Sequence, residues 1–193
     1  MNIKFFLSLL FAFPLMIFGQ EQLEAKLVVE KGKFIFDKKS YKLLKTQVDE
    51  ISKQKKKNDS MMKINPSISY MVLDCRVTEI PRLNSKTTHF TALVNSNLNL
   101  KNIKRGKNLM SIVVKKNGIA GSFKCIEASD EKICNQIKRM FRKEEFKTWH
   151  NALFSSIAVD YHLTFSIIVD TDFTNYNLRN KWSLDNNIQD FEK

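Results

Sequence analysis

Val159, Tyr161, Leu163, Phe165, Ile167 and Val169 alternate with Asp160, His162, Thr164, Ser166, Ile168 and Asp170. This period-two pattern predicts a long strand with one buried face and one wet face. Leu109 to Val114 and Ile119 to Glu127 read as two more strands, joined through Asn117-Gly118. Asn-Gly suits a type I′ turn, which needs positive φ at both central residues. With that pair as the loop, Val114 faces Gly121, Ile112 faces Phe123 and Met110 faces Cys125, so one face is apolar throughout. Ser129 or Asp130 then caps a helix running to about Lys143, with Ile133, Ile137, Met140 and Phe141 at helical spacing.

Nearer the N-terminus, Leu27 to Val29 and Phe34 to Phe36 flank Lys31-Gly32 and read as a short hairpin. From Ser40 to about Lys57 the pattern is helical, with Tyr41, Leu44, Val48 and Ile51 on one face and Lys53, Lys55, Lys56 and Lys57 in the last turn. Those lysines read as a solvated helix end, since no aromatics interleave them. Asn58 to Pro66 reads as a linker, and Ile68, Tyr70 and Val72 as a short strand ended by Pro81. Phe90, Leu93, Val94 and Asn97 suggest a short helix entered through Thr87 or Thr88. Asp170 to Lys193 reads as a polar tail, with one helical turn near Trp182.

These elements give an α+β fold, a small antiparallel sheet packed on helices with an N-terminal helical extension. A hairpin followed by a helix returns the chain for a third strand that is antiparallel only beside the first, so the order is second, first, third (2-1-3). The last strand then lies at an edge. Its residues Val159, Asp160, Tyr161, His162, Leu163, Thr164 and Phe165 form the candidate surface for pairing with an extended partner. The domain is expected over residues 67–170, after an extension over 20–66 and before a tail over 171–193.

Met1 to Gly19 changes the compartment. Lys4 precedes an apolar run from Phe5 to Phe18, and Gly19 stands before polar Gln20. A helix of that run spans about 21 Å, short of the roughly 30 Å hydrocarbon core, so residues 1–19 read as a secretory signal cleaved before Gln20. An uncleaved anchor is the competing reading. Export places the protein in the periplasm, with at most transient membrane contact, and removes nucleic acid as the usual partner.

Charge adds a second candidate surface. Lys and Arg number 32 against 20 acids, a net charge of +12. Residues 101–149 hold thirteen bases against five acids, while 150–193 hold three against six. Lys138, Arg139, Arg142 and Lys143 crowd one helix end and are candidate contacts for an anion. Specific chemistry is otherwise sparse. His89, His150 and His162 have no metal-ligand spacing, and no P-loop, G-x-G-x-x-G or G-x-S-x-G occurs, so no metal, cofactor or catalytic residue is assigned and the protein reads as non-enzymatic. Three Cys are too few for a disulfide scaffold. An oxidising periplasm permits a bond between Cys125 and Cys134, although buried free thiols are the simpler reading.

The run from Lys107 to Asp170 resembles the TonB C-terminal domain family in the form common among exported proteins of Bacteroidetes-type bacteria. The resemblance rests on Ser111-Ile-Val-Val leading into Lys115-Lys-Asn-Gly118, the helix Glu131 to Phe141, then Trp149 and the long final strand. Where relatives carry a Gly before that strand, this chain has Ser155-Ser156. The resemblance implies a periplasmic module that pairs its edge strand with an extended segment of an outer-membrane transporter or other envelope protein. A second copy of the chain is a further candidate partner. The residues themselves support a different class of function, a basic envelope protein that docks electrostatically on anionic lipopolysaccharide, lipid or polymer.

Overall fold

The computed structural model describes residues 22–67, 76–84 and 90–180. The expected signal at 1–19, the strand at Ile68 to Val72, the helix entry at Thr87 or Thr88 and the turn near Trp182 lie outside them.

The chain is a mixed α+β fold, an antiparallel sheet packed with helices. Strand β1 (Glu24–Ile35) leads into helix α1 (Lys38–Ile64), then β2 (Arg82–Leu83) and α2 (Phe90–Asn97). The hairpin β3 (Gly106–Val114) and β4 (Ala120–Glu127) follows, then α3 (Glu131–Met140) and the single turn α4 (Glu144–Lys147). Strands β5 (Trp149–His150), β6 (Ala152–Phe154) and β7 (Ile157–Asp170) complete it. The main sheet has the order β1-β7-β3-β4, with β6 paired to the start of β7, and β2 pairs β5 separately.

The expected sequence of second, first and third strands is therefore present as β4-β3-β7, but the outer side of β7 is occupied. Strand β1 pairs along it from Glu24–Asp170 to Ile35–Asp160, while β3 pairs the other side from Gly106–Val169 to Val114–Tyr161. Strand β7 is thus central. The reading of 159–165 as an edge is corrected, and so is the domain boundary at residue 67, because β1 belongs to the same sheet.

The apolar pattern explains β1 once a bulge is allowed. Leu27 and Val29 have odd parity, whereas Phe34 and Phe36 have even parity, yet all four are buried. The expected hairpin at Lys31-Gly32 is instead one strand, with a register shift between Val29 and Lys31 that leaves Glu30 as the extra residue. A bulge flips which parity faces inward without reversing the chain. Gly32 makes no turn. A Cβ placed there would fall on the Tyr161 hydroxyl, so the glycine provides room for a ring packed edge-on to Phe34 at 5.1 Å.

The core lies between the sheet and the helices. Leu163, Phe165 and Ile167 of β7 and Met110 and Ile112 of β3 have no exposed surface, and Ile133 and Ile137 of α3 cover them with Phe90 and Val94 of α2. Each such aliphatic or aromatic side chain contributes roughly 1.5–3 kcal/mol by its removal from water. The second face of β7, expected to be wet, is half-buried at His162 and Thr164 and buried at Ser166 and Ile168. Its position between two long strands accounts for that.

The β3–β4 turn also differs from the expected one. Only Gly118 of the Asn117-Gly118 pair has positive φ, at 76°. Gly118 N–H donates to the Lys115 carbonyl at 2.8 Å and Lys115 N–H to that of Ile119 at 2.9 Å, a three-residue loop closed by a left-handed glycine. Val114 consequently faces Ala120 rather than Gly121. A register shift between Ile112 and Val114 restores the expected pairs Ile112–Phe123 and Met110–Cys125. Cys125 itself is exposed and is bonded to Cys134 of α3, with Cα atoms 5.9 Å apart, which replaces the reading of free buried thiols.

Helix α1 outruns its expected end. It passes through the lysine run and the expected linker to Ile64, where Pro66 disfavours helical backbone in the residue before it. Asp37 caps it, accepting from Ser40 N–H at 2.7 Å. Only Ser40 and Leu44 are buried in its 27 residues, about 40 Å of helix.

Candidate functional site: a cationic groove beside α3

The fold separates the two expected surfaces. Val159, Tyr161, Leu163 and Phe165 point into the core. Burial raises the Tyr161 phenol to about 12. Asp160 accepts from Lys115 Nζ at 2.9 Å and Lys116 N–H at 2.8 Å, locking the β3–β4 turn onto β7. His162 faces Lys33 on β1 and Val113 on β3, and Thr164 faces Lys31 and Ser111. Burial lowers the His162 pKa, and the charges of Lys124, Lys33 and Lys31 push it further down. Those seven residues hold the sheet together; their backbones do not form a free edge.

The sheet's outer strand on the α3 side is β4. Its start is bridged, Ile119 to Thr148, and among the described residues no strand pairs beyond that point. Register shifts on both sides of its regular stretch, together with Lys124, blunt it as a template.

A groove of about 480 Å³ opens where the basic helix meets the loop after α2. Lys132, Asn135, Gln136, Arg139 and Met140 line one wall, on one face of α3 because they recur at spacings of three and four. Asn97, Asn99, Lys101 and Ile103 form the other wall, and Lys143 stands past the helix end. Of the expected anion contacts, Arg139 and Lys143 line this groove; Lys138 and Arg142 are exposed outside it.

Specific bonds hold the two walls at their spacing. Gln136 accepts the Asn99 N–H at 2.8 Å and donates to the Asn99 carbonyl at 2.9 Å. Lys132 Nζ donates to the Asn102 carbonyl at 2.9 Å, with Asn102 at φ 57°. Asp130, which caps α3, accepts from the N–H groups of Lys104 and Lys132, and these two bonds hold its carboxyl below the usual range. At the far end Lys143 Nζ donates to Asn97 Oδ1 at 3.0 Å.

Four cations thus converge on a groove whose lining includes no acid, and among the described residues the one salt bridge they make is Lys143 with Glu145 at 3.9 Å. Their fields add in a concave site, so an anion there is attracted more strongly than on an open surface. Lys132 was not singled out from the sequence, although its helical spacing with Arg139 was visible. Lys101 had no such signal, because its place opposite α3 depends on contacts between separate elements.

Among the described residues no group of His, Cys, Asp and Glu is placed to hold a metal ion, and no helix is long and apolar enough to cross a membrane. No protein-family model, curated protein or solved structure matches the chain.

Proposed function

We propose that the chain is an exported, non-enzymatic binding module of the periplasm that docks on an anionic envelope partner through the groove beside α3. The observation that carries this reading is the convergence of Lys101, Lys132, Arg139 and Lys143 on a concavity lined by no acid. Strand addition at 159–165, the mode implied by the resemblance to the TonB C-terminal family, loses its support because β1 occupies that side of β7. A second reading, strand addition at β4, is favoured by one observation: its outer side is unpaired among the described residues beyond the Ile119 bridge.

Charge reversal tests the first reading. The wild-type chain and a Lys101→Glu/Arg139→Glu variant are compared for binding to lipopolysaccharide micelles and to vesicles of anionic or neutral phospholipid. The wild type is expected to bind an anionic particle in about 0.1 M salt and to release it near 1 M, where the Debye length falls to about 3 Å. The variant is expected to bind at least tenfold more weakly while melting at the same temperature. Binding that survives 1 M salt and ignores the charge reversal would overturn the proposal.

A further inference from the structure

The groove holds more than charge. Beside its four cations stand four side-chain amides, Asn97, Asn99, Asn135 and Gln136, and its apolar lining is Ile103, 7% exposed, and Met140, 4% exposed. Two of the amides serve the architecture, Gln136 by clipping the Asn99 backbone and Asn97 by bridging the Leu93 carbonyl to Lys143. The others are open. Among the described residues the Asn135 amide makes no hydrogen bond, and the Asn99 side-chain oxygen accepts only from Lys101 N–H at 3.0 Å, which leaves its NH₂ group unused. Arg139 donates its Nε to the backbone carbonyl of Asn135 at 3.2 Å, and among the described residues its terminal nitrogens form no salt bridge.

An open amide carries both donors and an acceptor, which suits a hydroxyl that also donates and accepts. The planar guanidinium of Arg139 matches the oxygens of a phosphate two at a time. The apolar atoms that Ile103 and Met140 contribute to the lining suit the C–H face of a sugar ring. The volume lies within the usual range for a small-ligand site. No aromatic ring lines the groove, so it lacks the stacking platform on which single-stranded nucleic acid depends.

We infer that the groove binds a phosphorylated sugar, with Arg139 and Lys101 holding the phosphate from opposite walls and Asn135 and Asn99 reading ring hydroxyls. This rests on the proposed anion-docking role and narrows it to one ligand class. The full chain is titrated with glucose 6-phosphate, inorganic phosphate and glucose at constant ionic strength, following backbone amide chemical shifts. Glucose 6-phosphate should bind at least tenfold more tightly than inorganic phosphate and shift residues 97–103 and 132–143. Glucose should not saturate. Asn135→Ala should reduce the sugar phosphate to the affinity of phosphate and leave phosphate unchanged, whereas Arg139→Ala should weaken both. Equal binding of the two phosphates, with Asn135→Ala silent, would overturn the sugar assignment and leave charge docking standing. No shift in the groove with any probe, and no effect of Arg139→Ala, would overturn both.

Discussion

Ser155 and Ser156 connect β6 to β7 with left-handed backbone angles, φ 49° and 63°. Phe154 pairs with Ile157 across them, so they form the two-residue turn that normally selects Asn-Gly. Such a conformation costs a non-glycine residue roughly 1–2 kcal/mol. Ser156 has a compensating bond, its Oγ accepting from Val77 N–H at 2.9 Å, whereas among the described residues Ser155 uses only its backbone N–H, donated to Thr78 Oγ1 at 3.2 Å. Ser155→Asn should therefore stabilise the protein by about 0.5–1 kcal/mol, seen as a higher urea midpoint at unchanged slope. Ser156→Asn should give no gain, because it removes the Val77 bond. The same scale shows why local chemistry misleads. Lys31-Gly32 resembles a turn but lies inside a strand, where the glycine makes room for Tyr161, while Ser155-Ser156 carries no turn signal and turns.

At the scale of elements, legibility follows separation along the chain. The Ile112–Phe123 pairing and the face of α3 were readable because the β3–β4 hairpin and a single helix are local. The pairing of Glu24 with Asp170 spans nearly the whole domain, and the parity change between Val29 and Phe34 fits a bulge or a hairpin equally well. Only the presence of β7 beside the strand decides between them. Helix α1 was legible in kind but not in length, since its lysine run discouraged extension past Lys57. Because β1 supplies Leu27, Val29, Phe34 and Phe36 to the core and covers one whole side of β7, a chain beginning at residue 67 should not fold. Such a chain should lack the cooperative thermal transition of the full chain by circular dichroism. A cooperative transition in the shortened chain would return β1 to the status of an extension.

On the whole molecule, closing β7 between two strands moves the accessible chemistry from a strand edge to the α3 side. Residues 101–149, thirteen bases against five acids, contain both the blunted strand β4 and all four of the groove's cations. The two readings of this side therefore predict the same region and differ in which backbone is covered. Strand addition places new hydrogen bonds on β4, whereas anion docking leaves β4 alone and stiffens the two walls of the groove. The groove's outline was half legible, through the helical spacing of Lys132 and Arg139. Its other wall, from Asn97 to Ile103, depends on Gln136, Lys132 and Asp130 gripping a loop about thirty residues away in sequence. The most direct test is amide hydrogen exchange of the full chain, free and bound to the anionic particle it retains. The account predicts slowed exchange in residues 97–104 and 131–143 with the amides of Ala120 to Glu127 unchanged; slowed exchange along Ala120 to Glu127 with both groove walls unchanged would contradict it.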